Sequence, residues 1–84
     1  MIKIIDYYAT WCAPCKTLAP ILEELKEELQ FELVKIDIEE NEDEAIAEGI
    51  RNIPTLDIYK DNVKVDRIIG LLNKEALKNR ILNI

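Results

Sequence analysis

Cys12 and Cys15 are the only cysteines of this 84-residue chain, and they stand in the run Trp11-Cys12-Ala13-Pro14-Cys15-Lys16 with its single tryptophan. Two thiols at this spacing can exchange electrons by closing and opening a small disulfide ring. They can also serve as half of a metal site. Zinc and iron–sulfur centres usually need four protein ligands, and the chain has no histidine to complete a set. A metal shared between two chains is the remaining metal reading, and the redox reading is preferred. The lack of histidine also removes His general bases and Cys-His nucleophile pairs.

The flanking residues dictate where such a pair sits. Met1 to Tyr8 is rich in Ile and Tyr and reads as a strand over Ile2 to Tyr8. After the pair, Leu18, Ile21, Leu22, Leu25 and Leu29 recur at helical spacing, so a helix is expected from Ala13 to Leu29. The cysteines therefore lie where a strand ends and a helix begins. The unpaired N–H groups and partial positive charge of a helix start stabilise a thiolate at Cys12 and lower its pKa. Helical backbone brings Cys15 back toward Cys12. Pro14 suits a first turn, where its missing N–H costs nothing, and Lys16 adds positive charge.

The rest of the chain supplies a scaffold. One domain over residues 1–84 is expected, with one modest core. A net charge of -6 opposes a general nucleic-acid binder, which needs an excess of Lys and Arg. No stretch reaches the run of about 20 apolar residues needed to span a membrane. Met1 runs straight into the first strand, which leaves no room for a signal or transit peptide, so a cytoplasmic location is expected. In that compartment isolated structural disulfides are rare, which favours a catalytic dithiol.

Phe31 to Ile38 reads as a second strand with a nearly continuous apolar run, as in sheets covered on both faces. Strand, long helix and strand together suggest a parallel βαβ unit. Asn41 and Glu44 resemble a capping pair for a short acidic helix, Glu42 to Glu48, with Ile46 and Ala47 as its apolar side and Gly49 at its end. Thr55 to Tyr59 and Val63 to Ile69 flank Lys60-Asp61-Asn62, a hairpin signal. Asn73 caps a last helix, Lys74 to about Leu82, with Ala76, Leu77 and Ile81 inward. The expected fold is α/β, ordered β-α-β-α-β-β-α, a four-stranded mixed sheet with helices on both faces.

In that order the chain resembles the thioredoxin family over nearly its whole length. Trp11 to Lys16 is similar to the family's active-site motif, and Asp6 to its buried carboxylate. Pro20 falls at the helix-kink position, and Lys35 is similar to the lysine that pairs with the carboxylate. Gly49 to Leu56, including Ile53, Pro54 and Thr55, resembles the cis-proline segment, and Gly70 the glycine beside the substrate groove. Departures are Ala13 for the usual glycine between the cysteines, Tyr8 where a second tryptophan is common, Asn62 for a hairpin glycine, and the charged Asp57 in a central strand. The family's N-terminal strand and helix have no counterpart here, and in length the chain is closer to glutaredoxins.

The resemblance implies thiol–disulfide exchange with no bound cofactor. Cys12 is the exposed nucleophile, Cys15 the more buried resolving thiol, and Asp6 the base for Cys15, supported or simply neutralised by Lys35. Trp11 is a lid and target contact, joined in the substrate groove by Ala13, Pro14 and Gly70. An expected cis bond at Pro54 turns the backbone of Ile53 toward an extended target segment. Asp57 is read as solvent-facing rather than coupled to Asp6. The expected partners are disulfide-containing proteins and a thioredoxin-reductase-like flavoenzyme, with glutathione as the alternative reductant. A docking subunit of a larger complex is the non-enzymatic alternative, and a monomer is expected.

Overall fold

A computed structural model describes all residues, Met1 to Ile84. The elements follow in the order β1 (Ile2–Tyr8), α1 (Ala13–Leu29), β2 (Glu32–Asp37), α2 (Glu42–Ala47), β3 (Thr55–Lys60), β4 (Val63–Ile69) and α3 (Lys74–Leu82). One four-stranded sheet has the order β2-β1-β3-β4. β1 runs parallel to β2 and antiparallel to β3, and β3 pairs antiparallel with β4. The element order and mixed sheet are those read from the sequence.

Alternation along the strands decides which residues each helix covers. Ile4, Leu56, Ile58 and Ile68 share one face and pack with Leu18, Leu22 and Leu25 of α1 and Leu77 and Ile81 of α3. Tyr7 and Asp57 point to the other face and are wholly buried. There the Arg67 guanidinium donates to the backbone carbonyl of Glu48 at the end of α2, at 2.8 Å. Helices thus lie on both faces.

Local chemistry sets the boundaries. α1 ends at Gln30 in the left-handed conformation, with its N–H donating to the Lys26 carbonyl. Pro20 lies inside α1 on its exposed side, where it has no N–H for the carbonyl one turn back. Asp61 and Asn62 both have positive φ, 51° and 70°, as a tight hairpin turn requires. Asn73 caps α3 by accepting from the Ala76 N–H at 2.8 Å.

α2 departs from expectation twice. Asn41 makes no side-chain cap; its amide donates instead to the Asp37 carbonyl at 3.0 Å. The helix buries Ala45 and leaves Ile46 75% exposed. With Ala45, Ile46 and Ala47 consecutive on a six-residue helix, the sequence pattern cannot select the buried side. No helix is long and apolar enough to cross a membrane.

Candidate active site

The site lies at the C-terminal ends of β1 and β2, where α1 begins. Cys12 is the N-cap of α1 in extended backbone, and its Sγ accepts from the Cys15 N–H at 3.2 Å. A sulfur in that position takes the hydrogen bond that a Ser or Asp cap would take. The Lys16 N–H donates to the Cys12 carbonyl, and the Cys12 N–H to that of Ala9. Cys12 and Cys15 form a disulfide with their Cα atoms 5.2 Å apart.

The two cysteines are equally enclosed, at 4% and 5% exposure. The expectation of an exposed Cys12 and a more buried Cys15 is therefore corrected for the disulfide form. Tyr8, Ile38 and Ile53 pack around the cluster of Ala9, Cys12 and Cys15. What separates the sulfurs is their place on the helix: only Cys12 Sγ receives a backbone N–H. Ala13 and Pro14 are exposed on the rim, and the neighbouring Trp11 is 64% exposed, so it is no core tryptophan.

Asp6 is 2% exposed, and its Oδ1 has no hydrogen-bond partner. It lines a pocket of about 200 Å³ with Tyr8, Ala9, Cys15, Lys16 and Lys35, while Cys12 is not on its wall. The pocket has room for water, whose share of liquid volume is about 30 Å³. Burial pushes the Asp6 carboxyl up to about 6, against the opposing pull of the Lys35 charge. Lys35 is the direct β-sheet neighbour of Asp6, yet the two form no ion pair. The Lys35 ammonium lies over the Tyr8 ring, 4.9 Å from its centroid. The expected contact pair of Asp6 and Lys35 is thus corrected to an influence through space.

The Ile53–Pro54 peptide is cis, as read from the sequence. The Gly70 N–H donates to the Pro54 carbonyl at 2.9 Å, tying the end of β4 to the start of β3. Gly70 has φ +94°, a conformation that side chains disfavour. Half-buried Ile53 packs against the cysteine cluster, and neither its N–H nor its C=O bonds to any other backbone group. An extended segment laid beside it would find a free donor and acceptor.

Asp57 corrects a further expectation. It is fully buried, not solvent-facing, and its partners are basic residues rather than Asp6. Arg67 grips it with two hydrogen bonds, 2.7 and 3.0 Å, and Lys64 lies 3.2 Å away. Burial pushes the Asp57 carboxyl up, and these hydrogen bonds more than offset it, holding it below the ordinary carboxylate range. Residues that sequence reasoning passed over include Ile38, Ile46 and Ile50, which form an apolar groove with Trp11. The position of Ile38 just past β2 was the available signal, because sites gather at the carboxyl ends of parallel strands.

The family model described as Thioredoxin matches residues 1–83. Thioredoxin of Bacillus subtilis strain 168 is 42% identical over 82 residues, covering 95% of this chain and 79% of the relative. Thioredoxin of Staphylococcus epidermidis is 41% identical over 78 residues, covering 90% and 75%. Among solved structures, a mutant thioredoxin from Halobacterium salinarum NRC-1 superposes with a TM-score of 0.92 at 39% identity, covering 98% of this chain and 73% of that one. The oxidised mitochondrial thioredoxin 3 of Saccharomyces cerevisiae gives 0.89 at 36% identity, covering 99% and 78%.

Proposed function

The chain belongs to the thioredoxin family, and on that premise we propose that it reduces disulfides in protein targets and is itself re-reduced by a thioredoxin-reductase-like flavoenzyme. It is a thiol–disulfide oxidoreductase, and the Cys12–Cys15 disulfide is its redox centre. The carrying observation is Cys12 Sγ at the N-cap of α1, accepting from the Cys15 N–H.

In the proposed cycle the Cys12 thiolate attacks one sulfur of the target disulfide. A Cys12–target bond forms, the target's own bond breaks, and one target thiolate leaves. Cys15 then gives up its proton and attacks Cys12 Sγ. The Cys12–Cys15 bond forms, the mixed disulfide breaks, and the second target thiol departs. Two electrons have passed to the target. The flavoenzyme returns two electrons to reopen the ring.

Asp6 is assigned the Cys15 proton. Its place on the Cys15 pocket supports this, as does a carboxyl raised to about 6, close to the working range for a base. Lys35 tunes Asp6 through space. Trp11, Ala13 and Pro14 meet the target, and the free backbone of Ile53, beside Pro54 and Gly70, pairs with it as an added strand. Residues 1–84 act as a single domain, as a monomer in the cytoplasm, without nucleic-acid or membrane partners.

A coupled insulin-reduction assay tests the electron source. One arm supplies NADPH and thioredoxin reductase, the other glutathione and glutathione reductase. Turnover in the first arm is expected. Turnover only in the second would replace the flavoenzyme with glutathione. Failure in both, with the dithiol intact, would favour a docking role.

A further inference from the structure

From Glu39 to Ile50 the chain has no basic residue, while Glu39, Glu40, Glu42, Asp43, Glu44 and Glu48 fall within that span. Only Glu48 of these forms an ion pair, with Lys64. The other five are uncompensated within the protein. Glu42, Asp43 and Glu44 occupy the first turn of α2, where its partial positive charge favours them. That local benefit does not extend to Glu39 and Glu40, which precede the helix. Nor do the acidic side chains form a metal site: no group of three or more potential ligands is arranged to hold an ion.

A second feature adjoins the acidic stretch. Between Trp11 and α2 runs a groove of about 360 Å³, walled by Trp11, Ile38, Ile46 and Ile50, with Glu39 and Glu42 also on its wall. Trp11 is 64% and Ile46 75% exposed, so the apolar surface faces solvent. Ile38 belongs both to this groove and to the shell around Cys12 and Cys15, so the groove adjoins the wall of the disulfide cluster. Burying Ile46 would be the ordinary use of an isoleucine on a short helix. Here it faces the same solvent as the unpaired carboxylates.

We propose that this groove selects cationic targets. Resting on the disulfide-reductase reading, the inference names the substrate class. The bound segment presents an apolar side chain to Trp11 and Ile46. It carries Lys or Arg beside that residue, facing Glu39, Glu42 and the neighbouring acids. The apolar contact holds the segment, and the excess of negative charge, with only Arg51 and Lys16 opposing it, raises the encounter rate of basic targets and repels acidic ones.

The test uses two peptides with the same disulfide and the same apolar residue. One is flanked by lysines, the other by glutamates. Rates of reduction by the reduced protein are compared at low and high ionic strength, for the parent and for E39Q/E42Q/D43N/E44Q. At low ionic strength the lysine peptide is expected to react about tenfold faster or more, the lower range of electrostatic steering. The ratio should fall toward one at high ionic strength and in the neutralised variant. Because both peptides meet the same protein sample, loss of active protein lowers both rates alike and leaves the ratio unchanged, and circular dichroism together with an unchanged rate on hydroxyethyl disulfide shows that the variant is folded. Equal rates in the parent, or a preference that survives both salt and neutralisation, would overturn the proposal. Hydroxyethyl disulfide, which is uncharged, separates the two levels. Its reduction alongside equal peptide rates removes only the charge selection, whereas no reduction of any disulfide removes the underlying reading as well.

Discussion

Asp6 shares its pocket with Cys15 and not with Cys12. A base in that place acts on the second thiol. Asp6→Asn is therefore expected to leave attack on a chromogenic disulfide nearly unchanged. Release of the mixed disulfide should slow about 100-fold, the low end of general-base effects. Two-phase stopped-flow kinetics separate the steps. In the parent the release rate should also rise as pH passes about 6, where Asp6 ionises, and the variant should lack that limb. Equal slowing of both phases would remove the base role.

The same burial makes Asp6 a cost to the fold. Its carboxyl titrates near 6 in the folded protein against an ordinary 3.8. A raised carboxyl favours the protonated fold, so its contribution is intact below about pH 3.8 and is lost as pH rises through about 6. At 1.36 kcal/mol per pKa unit, the loss approaches about 3 kcal/mol above pH 7. Asp6→Asn should thus be more stable than the parent by about 2–3 kcal/mol at pH 8, the gain shrinking to near zero by about pH 4. Denaturant unfolding of the oxidised proteins across that range measures it. A gain that does not vary with pH would contradict the assigned titration.

The strands, the long helix and the cysteine pair were legible because each rests on local signals: alternation, helical spacing, a cap, a turn. The partner of Asp57 was not. A two-residue turn at Asp61-Asn62 pairs Lys60 with Val63 and Tyr59 with Lys64. Continued without interruption, that register would set Asp57 opposite Asp66. A shift between Ile58 and Tyr59 moves it by one residue, and Asp57 comes to face Arg67. Like charges become opposite charges through an irregularity that the residue pattern does not announce. The Lys35 ammonium escaped for a different reason. Register placed it beside Asp6, but a long side chain keeps its charge in water by lying over Tyr8 rather than entering the pocket.

Asp57 and Arg67 should behave as a unit. Arg67→Leu leaves a wholly buried carboxylate with only Lys64 nearby, and a loss of about 3 kcal/mol is expected, the lower range for breaking a buried pair. Asp57→Leu together with Arg67→Leu should recover most of that loss, since two apolar side chains need no partner. Asp57 is held below the ordinary range, so its contribution is present above about pH 3.8 and is lost as pH falls through its lowered folded value. Thermal melts of the single and double variants at neutral pH provide the check. A double variant no more stable than Arg67→Leu would show that the carboxylate was never the source of the cost.

Cys12 is expected to be the sulfur that reacts first. In the disulfide form Cys12 and Cys15 are almost equally covered, so exposure does not rank them. The hydrogen bond from the Cys15 N–H to Cys12 Sγ does, because it and the helix start favour negative charge on that sulfur alone. Reduced protein treated with limiting iodoacetamide near pH 7 should carry the label on Cys12, at about tenfold or more over Cys15. A Cys12 pKa at least one unit below the free-thiol value of about 8.5 would produce such a difference. Peptide mass spectrometry reads the site, and thiolate absorbance read against pH gives the pKa. Cys15→Ser should accumulate a stable mixed disulfide with a protein substrate, whereas Cys12→Ser should accumulate none. Labelling that favours Cys15 would reverse the order of attack. It would also hand the Asp6 proton to the first step instead of the second.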